Sequence, residues 1–120
     1  MTQEEKELLL KDLCARLPYG VKASTKVGGN IKISFVGYDT IIGEDGDSYD
    51  ISFITPYLFP LSSMNEEQGK IYHELIGGMF GTNVLINFEL LEEFFNKNHI
   101  DYRGLIPLGL AIDATDKNIY

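Results

Sequence analysis

The sequence predicts an α+β domain: an N-terminal helix, an antiparallel β-meander of about four strands, then two helices and a docked C-terminal tail. Hydrophobic residues recur at helical spacing near the start, at a period of two from Val21, and at helical spacing again after Met64. The chain has 120 residues, which suits a single domain over 1–120 and leaves no room for a second. Hydrophobic residues make up 44% and charged residues 23%, a balance that supports a packed core rather than disorder.

The first helix is expected over residues 3–16. Thr2 and Glu5 form a capping-box pattern, and Leu10, Leu13, Cys14 and Leu17 follow the i, i+3, i+4, i+7 rule. That spacing places Cys14, the single cysteine, among buried leucines. Pro18 and Gly20 end the helix. Val21, Ala23, Thr25 and Val27 then alternate with Lys22, Ser24 and Lys26. A Gly28-Gly29-Asn30 turn leads into Ile31, Ile33 and Phe35, so the two runs read as a hairpin. A third strand is expected near Thr40-Ile41-Ile42. After the turn Glu44-Asp45-Gly46-Asp47 a fourth follows, with Tyr49, Ile51 and Phe53 on one face.

Thr55 to Met64 contains Pro56 and Pro60 and reads as ordered loop. Ser63 and Glu66 make a second capping-box pattern, opening a helix that runs to about Ile76 with Ile71 and Leu75 inward. Gly77-Gly78 is its stop, and Gly77 to Gly81 a flexible exit. Val84-Leu85-Ile86 reads as a short strand or a buried turn, and Asn87 as the cap of a third helix whose Phe88, Leu91 and Phe95 share a face. The tail from Ile100 to Ala114 reads as one helical turn followed by an extended docked segment, with the last six residues fraying.

The formal net charge of −8 opposes general binding to nucleic acid or to anionic membranes. The charge is segregated: residues 13–38 hold Arg16, Lys22, Lys26 and Lys32 without an acid, and residues 33–69 hold seven acids without a base. This pattern favours a protein-contacting surface or internal pairing. No run approaches the roughly 18 apolar residues of a membrane span. The acidic start is unlike a secretory leader, and one cysteine suits a reducing compartment, so a cytoplasmic protein is expected.

Several stretches fall short of a chemical motif. His73-Glu74 begins the zincin pattern, but position 77 is Gly77 where the second imidazole is needed. Asp45-Gly46-Asp47 with Asp50 begins a calcium loop, yet the twelfth position from Asp45 is Pro56, and a plain turn explains the acids better. No phosphate-cradling glycine loop occurs. Lys22, Lys26 and Lys32 should line the exposed face of the first hairpin without interleaved aromatics, which makes a poor nucleic-acid footprint. No metal, no cofactor and no catalytic residue is expected. The candidate binding residues are Tyr57 and Phe59, in the proline-flanked aromatic stretch, and His99, Asp101, Tyr102 and Arg103 with Asp113. The structural reading of the second group is a clasp: Arg103 pairs with Asp101 or Asp113, or holds loop carbonyls, and pins the tail to the sheet.

Three stretches carry a resemblance: Arg16 to Lys22 (RLPYGVK), Pro56 to Met64 (PYLFPLSSM), and the tail Asn98 to Ile106 (NHIDYRGLI) with Gly109 to Ala114 (GLAIDA). In these the chain resembles a family of uncharacterised small proteins from gut Bacteroidetes and their phages and mobile elements. Family members often carry a charged pair where this chain has Pro107-Leu108. The resemblance implies a mobile-element accessory protein and brings no activity or catalytic residue with it. The leading expectation is thus a non-enzymatic accessory factor with a protein partner. The alternatives are an acidic decoy of DNA, motivated by the acids of residues 39–50 and by Glu89, Glu92 and Glu93, and a small enzyme using the His99–Arg103 cluster.

Overall fold

The computed structural model describes residues 1–77 and 88–120. Helix α1 (Gln3–Arg16) precedes a meander of β1 (Lys22–Thr25), β2 (Asn30–Val36), β3 (Thr40–Gly43) and β4 (Ser48–Asp50). Strand β5 (Ile54–Pro60) follows, then helices α2 (Glu66–Gly77) and α3 (Phe88–Lys97), and the short strands β6 (Ile100–Asp101) and β7 (Ile112–Asp113). The α+β class, the N-terminal helix, the four-strand meander and the two later helices stand as the sequence predicts. The expected Val84–Ile86 element, the Asn87 cap and the glycine exit at 78–81 lie outside the described residues.

The sheet runs β4-β3-β2-β1-β5-β6, with β7 also pairing β5. The meander pairs antiparallel throughout, and β5 joins it antiparallel to β1 with Ser24 opposite Thr55. The tail strands pair with β5 in parallel: Phe59 with Ile100, and Tyr57 with Ile112. The stretch expected to be a loop is therefore the strand on which the fold closes. Its prolines explain the error. Pro56 and Pro60 have no N–H to give a ladder, which normally argues against a strand inside a sheet. Here the pairing around them is short: three partners from β1 and two each from β6 and β7. The fourth strand also ends earlier than its pattern suggests. The Asp50 carboxylate accepts from Ser52 N at 2.9 Å and turns Ile51–Phe53 into a single 3-10 turn.

The N-terminal capping box forms, with Glu5 N donating to Thr2 Oγ1 at 3.1 Å and Thr2 N to Glu5 Oε1 at 2.8 Å. The second box sits two residues later than expected, between Asn65 and Gln68, whose side chains accept from each other's amides at 2.8 and 3.1 Å. Ser63 is occupied elsewhere, donating to the Pro60 carbonyl at 2.7 Å. The acidic hairpin tip is a plain turn, with Gly46 at φ 89° and Asp47 N donating to Asp45 Oδ1 at 3.0 Å.

The buried face of α1 is Leu9, Asp12, Leu13 and Arg16, and Cys14 is exposed. The period is the expected one but its phase is shifted by one residue, a rotation of about 100°. Cys14 is therefore not a core residue, and two charged groups take an inward place instead. Leu9 and Leu13 pack with Val21, Ala23, Ile33, Ile41, Ile54 and Leu58 in the main core, which Leu105, Leu110 and Ala111 of the tail complete. A smaller cluster joins Phe94, Phe95 and Ile100 to Tyr72, Leu75 and Tyr102. Ile71, expected inward, stays 40% exposed.

Leu58 has no exposed surface and touches both β1 and tail residues through the core, whereas Leu61, three residues on, is 44% exposed. Leu58→Ala is expected to cost about 2–5 kcal/mol in urea denaturation. Leu61→Ala should stay within about 0.5 kcal/mol of the parent.

Candidate functional site

Helix α1, the end of α3 and the segment after β6 converge on one polar cluster. Asp12 and Arg16 lie four residues apart on the inward face of α1, and both side chains have no exposed surface. Arg16 Nε donates to Asp12 Oδ2 at 2.9 Å, and its terminal nitrogens donate to the Ile100 carbonyl at 2.6 Å and the Phe95 carbonyl at 3.4 Å. The other Asp12 oxygen accepts from Arg103 Nε at 3.2 Å. Arg103 also donates to the Tyr102 hydroxyl at 2.7 Å. Both guanidinium groups lie over the Tyr102 ring, at 5.5 Å for Arg16 and 4.6 Å for Arg103, and that ring stacks on Phe95 at 5.1 Å. Burial raises the Tyr102 hydroxyl above the ordinary phenol range, against the pull of Arg103.

The sequence points to a clasp around Arg103, and a clasp forms, but with a different carboxylate. Arg103 pairs with Asp12, not with Asp101 or Asp113. Asp101 is instead committed to the backbone: its two oxygens accept from Leu105 N and Ile106 N, each at 2.9 Å. Asp113 is exposed and accepts from Thr115 N at 2.9 Å. The Thr115 hydroxyl and amide hold its carboxyl below the usual range. Asp12 and Arg16 were missed by sequence reasoning. Their signal was an acid and a base at i, i+4, which on most helices marks a solvated pair.

Tyr57 is buried, with its hydroxyl donating to Asn30 Oδ1 at 2.7 Å, so it is not an exposed contact. Phe59 is half-buried, 6.0 Å from the Tyr120 ring. His99 is buried and has φ 56°, the left-handed residue with which α3 ends. Its imidazole stacks on Tyr120 at 3.7 Å with an interplanar angle of 11°. Its Nδ1 has no hydrogen-bond partner among the described residues. Burial, reinforced by the positive charges of Arg16 and Lys22, lowers the imidazole pKa to about 4. Tyr120 belongs to the segment expected to fray, yet its hydroxyl accepts from Lys22 N at 2.9 Å and donates to the Tyr57 carbonyl at 2.8 Å. Burial pushes that hydroxyl up to about 12.

Beside the clasp lies an open groove of about 430 Å³. Pro60, Leu61 and Ser62 form one wall, and Tyr102, Gly104, Ile106 and Pro107 the other, with Asp101 between them. Both walls are held locally: Ser63 ties back to Pro60, and Asp101 gathers the amides of Leu105 and Ile106. Among the described residues, no three His, Cys, Asp or Glu side chains gather to hold a metal ion. Among the same residues, no helix is long and apolar enough to cross a membrane. No family model, curated protein or solved structure matches this chain.

Two outcomes are expected from this arrangement. Asp12→Ala leaves two arginines without their shared carboxylate and should cost about 3–5 kcal/mol. Arg103→Ala removes only the partly exposed partner and should cost about 1–3 kcal/mol, with chemical denaturation separating the two. The second outcome concerns pH. The unfolded His99 takes up its proton near 6.5 but the folded one only near 4, so stability should fall as pH drops through that interval. The loss is bounded at about 3 kcal/mol. Thermal unfolding at pH 7 and pH 4.5 measures it. Asn tolerates the left-handed backbone at this position, and His99→Asn should flatten this part of the pH profile even where it lowers overall stability.

Proposed function

We propose that this protein is a non-catalytic accessory factor, of the phage or mobile-element kind that its sequence resemblance implies, which binds a partner protein through the groove beside the clasp. The groove carries this reading. Its walls come from two of the three stretches on which the resemblance rests, Pro56–Met64 and Asn98–Ile106, with Pro107 added. Its surface is mostly apolar, with Pro60, Leu61, Ile106 and Pro107 in the lining, and Leu61 exposes 44% of its surface there, with Leu108 beside Pro107 exposing 52%. An apolar hollow with fixed walls accepts a nonpolar side chain at little ordering cost. The adjacent polar residues support binding over chemistry. Asp12, Arg16, Asp101 and Arg103 spend their hydrogen bonds on one another, on the Tyr102 hydroxyl and on backbone groups. The occupant that fits is an apolar segment of a partner protein.

The test is comparative capture from lysate of the source cells. Wild-type protein should retain one partner near stoichiometrically. Leu61→Asp should lose it, and Phe35→Asp, on an exposed residue of β2, should keep it. Circular dichroism establishes that both variants are folded. Retention of the same partner by Leu61→Asp, or no specific partner on wild type, overturns the reading.

A further inference from the structure

The register of β1 on β5 places Lys22 opposite Tyr57, next after the Ala23 and Pro56 pair. The Tyr120 hydroxyl stands between these two residues. It accepts from the Lys22 amide and donates to the Tyr57 carbonyl, filling with one atom a place where the two strands do not bond directly. The Lys22 carbonyl is also within 3.3 Å of that oxygen. Above the hydroxyl the ring is held on one face by the parallel His99 imidazole at 3.7 Å, with the Phe59 ring at 6.0 Å and the Lys22 ammonium at 5.9 Å.

We propose that the hollow between Lys22, Tyr57, Phe59 and His99 is a binding site for a para-substituted phenol, and that the tail fills it in cis as a displaceable plug. The selectivity follows from the two backbone groups. A neutral hydroxyl satisfies one donor and one acceptor together. A hydrocarbon ring satisfies neither and leaves both unpaired, and a phenolate has no proton for the Tyr57 carbonyl. A neutral His99 ring suits a flat aromatic stack, and burial keeps it neutral.

The plug is built to leave. Thr115 to Asn118 run exposed over the surface, and Asp116 and Asn118 both adopt left-handed backbone, at φ 65° and 53°. The tail re-engages the fold at Ile119, whose carbonyl accepts from Lys22 Nζ at 2.9 Å, and at Tyr120. Tyr120 is itself 41% exposed, so its ring can peel from His99 without opening the core.

The test uses the full chain as Tyr120→Ala, with p-cresol as probe and toluene as its hydrocarbon match. Saturable binding is read by titration calorimetry and by the NMR shift of the His99 ring protons. The variant should bind p-cresol at least about tenfold more tightly than toluene, because only the phenol pairs both backbone groups. Wild type should show the same His99 shift only at higher p-cresol concentration, as the tail competes. Equal binding of the two probes, or a p-cresol affinity no higher in the variant than in wild type, overturns the proposal. Should Tyr120→Ala fail to fold, Tyr120→Phe keeps the ring and removes only the hydroxyl. That tail competes less well, so p-cresol should reach His99 at a lower concentration than in wild type, and an unchanged concentration counts against the plug.

Discussion

A guanidinium with no exposed surface holds this fold in register. Taking Arg16 out of water costs several kcal/mol even after relaxation, so its surroundings must be built to receive it. Three elements do so. Asp12 supplies the opposite charge from the same helix, and Ile100 offers a carbonyl from β6. Phe95 offers one of the last carbonyls of α3, which no later amide of that helix can satisfy. A cation at a helix C-terminus also meets the negative end of its dipole. One side chain thereby fixes the rotation of α1, the ending of α3 and the position of the tail. Arg103 completes the cluster from outside by taking the second oxygen of Asp12.

The same pair explains where the sequence could and could not be read. Period and class were legible because apolar spacing is a local property: the helix at the start, the hairpin through Gly28-Gly29 and the acidic turn at Gly46 all sit where their residues place them. Phase was not. Leu10 and Cys14 compete with Leu9 and Arg16 for the inward face, and apolar counting favours the former. What decides is the set of carbonyls waiting for Arg16, contributed from more than seventy residues away in the chain. Strand β5 was hidden for a related reason. Two prolines suppress the local signal, and the partners that make it a strand, β1 and the tail, come from both ends of the sequence. The candidate site was half legible: Arg103, Tyr102 and His99 were marked as polar residues in an apolar tail, but their partners Asp12 and Tyr120 were not.

Cluster and tail share one electrostatic neighbourhood. Arg16 and Lys22 both act on His99 and favour its neutral form, and Arg16 and Asp12 act with opposite signs on the Tyr120 hydroxyl. Arg16 and Lys22 put an excess of positive charge around His99. An imidazolium beside that excess would be repelled as well as poorly solvated, so the stack of His99 on Tyr120 is a contact between neutral rings. Burial sets the neutral state of His99, and the arginine that pins α1 to α3 adds to it. Tail docking then rests on this neutral stack together with the hydrogen bonds of the Tyr120 hydroxyl to Lys22 and Tyr57. A change that shifts Arg16 alters the footing of Tyr120 even though the two side chains share no hydrogen bond with each other.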